Sequence, residues 1–156
     1  MAPGRRTPGA TARLGAGDVA CWVVKTSVPP AELAPGWAPG QERLVDRCLH
    51  PSYRLALMSG GQPCLLWLSG RRHPGVHAVG VLAGSPVDGP GGATAALRLA
   101  LLEEPVGRGE LLADPAFASA EVIRMPAGSN PSWLTAGQFA AVLARLPHPR
   151  LGRWVP

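Results

Sequence analysis

The chain has 156 residues, of which 46% are hydrophobic and 16% charged; that suits one domain and is too apolar for a disordered chain. Its longest apolar runs reach about six residues, far short of the roughly 20 a membrane helix needs, and no apolar segment follows the N-terminal arginines as a secretory signal requires. A cytoplasmic location is expected. Of the net charge of +5, residues 1–18 and 147–156 contribute +2 each, so the excess of base belongs mainly to the tails and adds non-specific affinity for polyanions.

In chain order, residues 1–17 are Gly, Pro, Arg and Thr without periodicity and predict a disordered basic tail. Structure is expected from Asp18, and the β-branched and aromatic run Val19–Thr26 predicts a buried strand. The Pro/Gly-rich segment 29–40 cannot be a long helix. Over 41–50, Leu44, Val45, Cys48 and Leu49 recur at helical spacing and predict an amphipathic helix ended by Pro51. Tyr53–Met58 reads as a short strand or turn. Pro63–Ser69 and Gly75–Ala83 predict an antiparallel strand pair joined by a polar loop with Arg71, Arg72 and His73. Thr94–Leu102 is apolar and fits either a strand or a helix. A short helix around Leu111-Leu112, a short strand over Ala120–Met125 and a turn at Ser129–Ser132 follow. Thr135 and Gln138 make a capping box for a last helix to Leu146. The domain is thus expected over 18–147, with a second tail at 148–156.

The body carries five arginines against Glu42 and Asp46 over 41–72, and three against six acids over 85–125, which predicts a basic and an acidic face. Fourteen arginines accompany a single lysine, Lys25; with the abundance of Gly, Pro and Ala, this reads as the codon pressure of a GC-rich bacterial genome. Cys21, Cys48 and Cys64 have no C-x-x-C spacing and read as free thiols, two of them in apolar runs. The four histidines lack metal-ligand spacing, and no Gly-rich loop is followed by Lys-Ser/Thr. Neither a metal nor a cofactor is expected.

Taken together, WVVKT, QPCLLWLSG followed by PGVHAVGVLAG, ALRLALLEEP, the short helix ending in ADP, and MPAGSNPSWLT running into a helix resemble, in that order, the EVE domain family over about residues 19–146. The resemblance implies an α+β, PUA-like fold, a strongly curved mixed sheet approaching a β-barrel with short flanking helices. It also implies binding of DNA or RNA that carries a modified base, often a methylated cytosine or adenine, in an aromatic-walled pocket. Where many members read K-T-E-P, this chain reads Lys25-Thr26-Ser27-Val28-Pro29 and lacks the acid.

Base stacking on an aromatic ring contributes about 1–3 kcal/mol whatever the sequence, so the tryptophans are the first candidates. Trp67, just before Ser69-Gly70, matches the position where the family's pocket wall becomes a loop; core packing is its other reading. Trp37 in a Pro/Gly loop suits a lid, Trp133 a wall or a staple for the last helix, and Trp22 the core. Lys25, Thr26 and Ser27 end the first strand and offer an ammonium and two hydroxyls to a base or phosphate. Ser129 and Asn130 can read a base or form a turn, while Arg71, Arg72 and Arg54 are candidates for phosphate contact. An alternative from another class is an ASCH-like amidohydrolase acting on an acylated nucleoside, built from Lys25, Thr26 and an acid such as Glu103 or Glu121. Adjacent strand residues point to opposite faces, which weakens that set.

Overall fold

Every residue of the first strand, β1 (Cys21–Thr26), is buried, because the strand is covered on both faces. Side chains alternate across a strand, so Cys21 and Val23 join one apolar cluster while Trp22 and Val24 join another on the opposite face. The computed structural model describes residues 13–147; residues 1–12 of the tail expected at 1–17, and the whole of the tail expected at 148–156 with Trp154, lie outside them. After β1 come α1 (Pro30–Leu33), β2 (Glu42–Leu49), β3 (Pro63–Leu68), β4 (Gly75–Leu82), β5 (Val87–Gly89) and β6 (Gly92–Gly107). Then follow α2 (Arg108–Leu112), α3 (Glu121–Arg124), β7 (Ser132–Leu134) and α4 (Ala136–Leu143).

The architecture is α+β. Seven strands form one mixed sheet in the order β2-β6-β4-β3-β1-β7, with β5 alongside β6. β1 and β3 pair in parallel and β3 and β4 antiparallel. Register shifts at Leu66/Trp67 and at Val76/Ala78 add local twist and bend to the sheet. β2 and β7, at the two ends of the order, form no ladder, so the barrel is not closed. One backbone bond spans the gap: the N–H of His50, just past β2, donates to the carbonyl of Asn130, just before β7, at 3.0 Å. No helix among the described residues is long and apolar enough to cross a membrane.

Three sequence expectations are corrected. Residues 41–50 are not a helix: β2 pairs with β6 over eight residues, from Glu42↔Ala100 to Leu49↔Ala93. Positions i and i+4 share a face in a strand as well as in a helix, so Val45 and Leu49 face the core in either state. Leu44 distinguishes the two, being 59% exposed on the outer face. Residues 120–125 are not a strand; α3 forms there, with the N–H of Met125 donating to the carbonyl of Glu121 at 2.7 Å. Structure also begins before Asp18. Leu14 is buried, its N–H donates to the Tyr53 hydroxyl at 2.8 Å, and Arg13 lies 4.6 Å above the Tyr53 ring.

The ambiguous run 94–102 belongs to the 16-residue β6, whose two edges bond to β2 and β4. Tyr53–Leu57 is a 3-10 turn in which the Ser52 hydroxyl accepts from the N–H of Arg54. The capping box of α4 is as read: the Thr135 hydroxyl accepts from the N–H of Gln138, and the Gln138 amide accepts from the N–H of Thr135. The cysteines are free, Cys21 and Cys64 buried and Cys48 exposed; burial pushes the two buried thiols up, Cys64 far above the ordinary range.

Gly80 in β4 has no room for a side chain, since a Cβ there would lie 1.8 Å from the carbonyl oxygen of Arg98 on β6. Gly80→Ala is expected to cost about 3 kcal/mol, the upper part of the overpacking range. The readout is a lower urea midpoint with an unchanged slope; an unchanged midpoint would show that β6 moves aside at little cost.

Candidate functional site

The gap between β2 and β7 opens into a cavity of about 310 Å³, at the low end of the range for small-molecule sites. His50, Ser52 and Arg54 form the bank that follows β2. Glu121, Met125 and the loop Gly128–Pro131 form the other.

Asn130 organises the loop. Its side-chain carbonyl accepts from the N–H of Lys25 at 2.7 Å, and its amide N–H donates to the Lys25 carbonyl at 2.9 Å. The side chain thus imitates a strand and extends the β1–β7 pairing two residues beyond Val23↔Ser132. The backbone carbonyl of the same residue accepts from His50. One asparagine therefore ties both banks and β1 together.

The Lys25 ammonium is buried and donates to the carbonyls of Gly128 and, at 3.4 Å, Met125. Burial lowers its pKa; the Arg54 charge acts in the same direction and Glu121 opposes it. An ammonium has three donors, so one remains beyond these two bonds.

Arg54 and Glu121 form a bidentate pair at 2.7 and 2.8 Å, with side chains 22% and 14% exposed. Arg54 also donates to the Pro131 carbonyl at 2.9 Å, and the Ser132 hydroxyl donates to Glu121 at 2.9 Å. Burial alone would raise the Glu121 pKa, but the bonds from Arg54, Ser132 and Trp133 and the Arg54 charge together hold it below the usual carboxylate value.

Arg54, Ser129 and Asn130, all picked out from the sequence, line this cavity, and Lys25, also picked out, lies behind it bonded to the Gly128 and Met125 carbonyls. Their roles differ from those expected. The Asn130 amide is used at both ends by Lys25 and is not left to read a base. Arg54 is committed to Glu121 and Pro131 rather than presented to a phosphate. Ser129 is exposed at the rim.

The tryptophans are elsewhere. Trp67 is 3% exposed and stacks on Phe117, ring centroids 6.0 Å apart and planes 12° from parallel, so it is a core residue and not a pocket wall. Trp37 is no lid: it is buried in the other cluster, its indole N–H donating to the Gln41 carbonyl at 2.7 Å. Trp133 is half-buried against that cluster opposite Trp22 and reaches the site through a bond to Glu121. Trp22 is core, as read, and its indole N–H donates to Gln62.

The Thr26 hydroxyl is taken by the backbone of Val28, at 3.0 and 3.1 Å. Glu121, the acid named beside it in the amidohydrolase alternative, is held by Arg54. Ser27 is exposed, Ser69 is half-buried with its N–H on the Thr26 carbonyl, and Gly70 is exposed with φ +114. Arg71 and Arg72 are exposed on the β3–β4 loop, outside the cavity lining. That loop is pinned by a 2.6 Å hydrogen bond between His77 Nε2 and the carbonyl of His73.

Sequence reasoning missed His50, Ser52, Met125, Gly128 and Pro131 and considered Glu121 only as a catalytic acid. Glu121 and Arg54 are 67 residues apart, a distance at which nothing local announces a pair. The Gly-Ser-Asn-Pro run did mark the loop.

These features define a class of fold, PUA-like: a curved mixed sheet left open at one seam, with short helices at its edges. No family model matches the chain, and no curated protein matches it. Among solved structures it is similar to a hypothetical protein from Leishmania major, with TM-score 0.64 and 16% identity over 83% of this chain and 96% of that one. A protein from Pseudomonas syringae gives 0.61 and 16%, covering 80% and 98%. Human THYN1, solved in complex with 5-methylcytosine containing DNA, gives 0.58 and 14%, covering 80% and 95%.

Proposed function

We propose that this chain is a nucleic-acid-binding domain that accepts one flipped-out, modified base in the cavity between β2 and β7. The observation that carries the reading is the cavity itself: about 310 Å³, open, and lined by polar groups that include Ser129, with the buried Lys25 ammonium behind it on the Gly128 carbonyl. The likeness in fold to THYN1 with its methylcytosine DNA supports it. Of the three arginines considered for phosphate contact, the exposed Arg71 and Arg72 take that role, because Arg54 is spent on Glu121.

A methyl group buried on binding gains about 0.8 kcal/mol, near a factor of four; a tight pocket that excludes the wrong group reaches about 200-fold. Titrating a short 5-methylcytosine duplex and its unmodified twin, followed by tryptophan fluorescence and by filter retention, is expected to give a preference of about fourfold or more. Equal affinity would overturn the modified-base reading. Absence of binding at about 50 mM salt, where phosphate contacts are strong, would overturn the nucleic-acid reading itself.

A further inference from the structure

We propose that Met125 is the surface on which the bound base packs, so that a thioether takes the place of an aromatic wall; this rests on the base-binding reading above. The cavity lining contains no Trp, Tyr or Phe. A planar base entering it needs an apolar face, and Met125 supplies one. It is 54% exposed, and of the exposed large apolar residues Leu44, Val87, Leu112 and Met125, it alone lines the cavity.

Its backbone is anchored while its side chain is open. The Met125 N–H donates to Glu121 at 2.7 Å, and its carbonyl accepts from the N–H of Gly128 at 3.0 Å and from Lys25. The side chain therefore projects from a fixed point. Gly128 is an independent observation. A Cβ there would lie 3.1 Å from the Met125 carbonyl oxygen, 3.6 Å from the Met125 Cβ and 3.5 Å from the Lys25 ammonium. A glycine at this position keeps a side chain from crowding the root of the Met125 side chain and the Lys25 ammonium.

A methionine suits the task because it is unbranched, polarisable and attracted to aromatic rings. On the other bank the exposed His50 offers a second flat group. The ligand class that profits is a neutral planar ring carrying an apolar substituent, a methylated nucleobase; a phosphate or a sugar gains nothing from a thioether.

The test uses the full chain and the 5-methylcytosine duplex. Met125→Ala is expected to bind about tenfold more weakly and Met125→Leu to stay within about threefold of the parent, since leucine restores most of the apolar surface. Both should melt near the parent temperature, because the side chain is largely exposed. A second readout separates contact from indirect structural effects. Hydrogen peroxide delivers one oxygen to the thioether sulfur and leaves as water, and peptide mass spectrometry reports the rate at Met125. Bound duplex should slow that rate several-fold. Alanine binding within twofold of the parent, or equal oxidation in free and bound protein, would overturn the assignment. A parent protein that binds no duplex at all fails the functional reading first, and this inference with it.

Discussion

Trp67→Ala is expected to lower folding stability by about 3–5 kcal/mol, the usual cost of removing a core tryptophan, and the melting temperature by on the order of 10 °C or more. The ring is 3% exposed and packs in one cluster with Val76, Leu102 and Phe117. Its offset stack on Phe117, at 6.0 Å, adds about 0.5–1.5 kcal/mol beyond area burial. Phe117→Ala should therefore behave alike, and the double variant should cost less than the two separate losses added together, because the shared stack is lost once. Below the melting temperature, affinity for a methylcytosine duplex should stay near the parent value. A variant that keeps its stability but no longer binds would return Trp67 to the pocket.

Glu121→Gln should be the most damaging change at the site. It leaves the Arg54 guanidinium, 22% exposed, without its carboxylate and weakens the bond to Ser132. Breaking a fully buried pair costs about 3–5 kcal/mol; partial exposure here brings the expectation to about 2–3 kcal/mol. A pH dependence follows from the same contacts. The folded-state pKa of Glu121 lies below the ordinary value, because bonds from Arg54, Ser132 and Trp133 outweigh burial. Its contribution to stability is therefore fully present above the unfolded value, about 4.3, and is lost as pH falls through the lower folded value. Urea unfolding of the parent between about pH 6 and pH 3 should show that loss, and the Gln variant should show a flatter profile over the same interval. Equal slopes in the two proteins would mean that the pair contributes nothing to folding.

Segments whose state depends on near neighbours were legible before the fold was known. β1, β3 and β4 read as strands because both of their faces are buried, so their apolar runs are nearly unbroken. α4 was legible from Thr135 and Gln138, whose reciprocal bonds span three residues. β2 was misread because its apolar spacing fits both periods, and only pairing with β6 separates them. α3 is too short for periodicity to classify.

The same division runs through the site. The Gly128–Pro131 loop was marked by its Ser-Asn-Pro chemistry, and Lys25 by its rarity among fourteen arginines. A tryptophan's side of the sheet was not legible, because an aromatic ring is equally at home in a core and in a pocket. Trp67 went to Phe117, 50 residues on, and no tryptophan lines the cavity. By itself the sequence determined which short segments are strands, turns and caps, and that an unusual lysine and an Asn-Pro loop stand apart from the rest. Only the tertiary structure decided which residues meet across the open seam, since Arg54 with Glu121 and Lys25 with Asn130 are separated by 67 and 105 residues. Contacts at such separations depend on how the sheet curves and pairs, and no local pattern of residues encodes that.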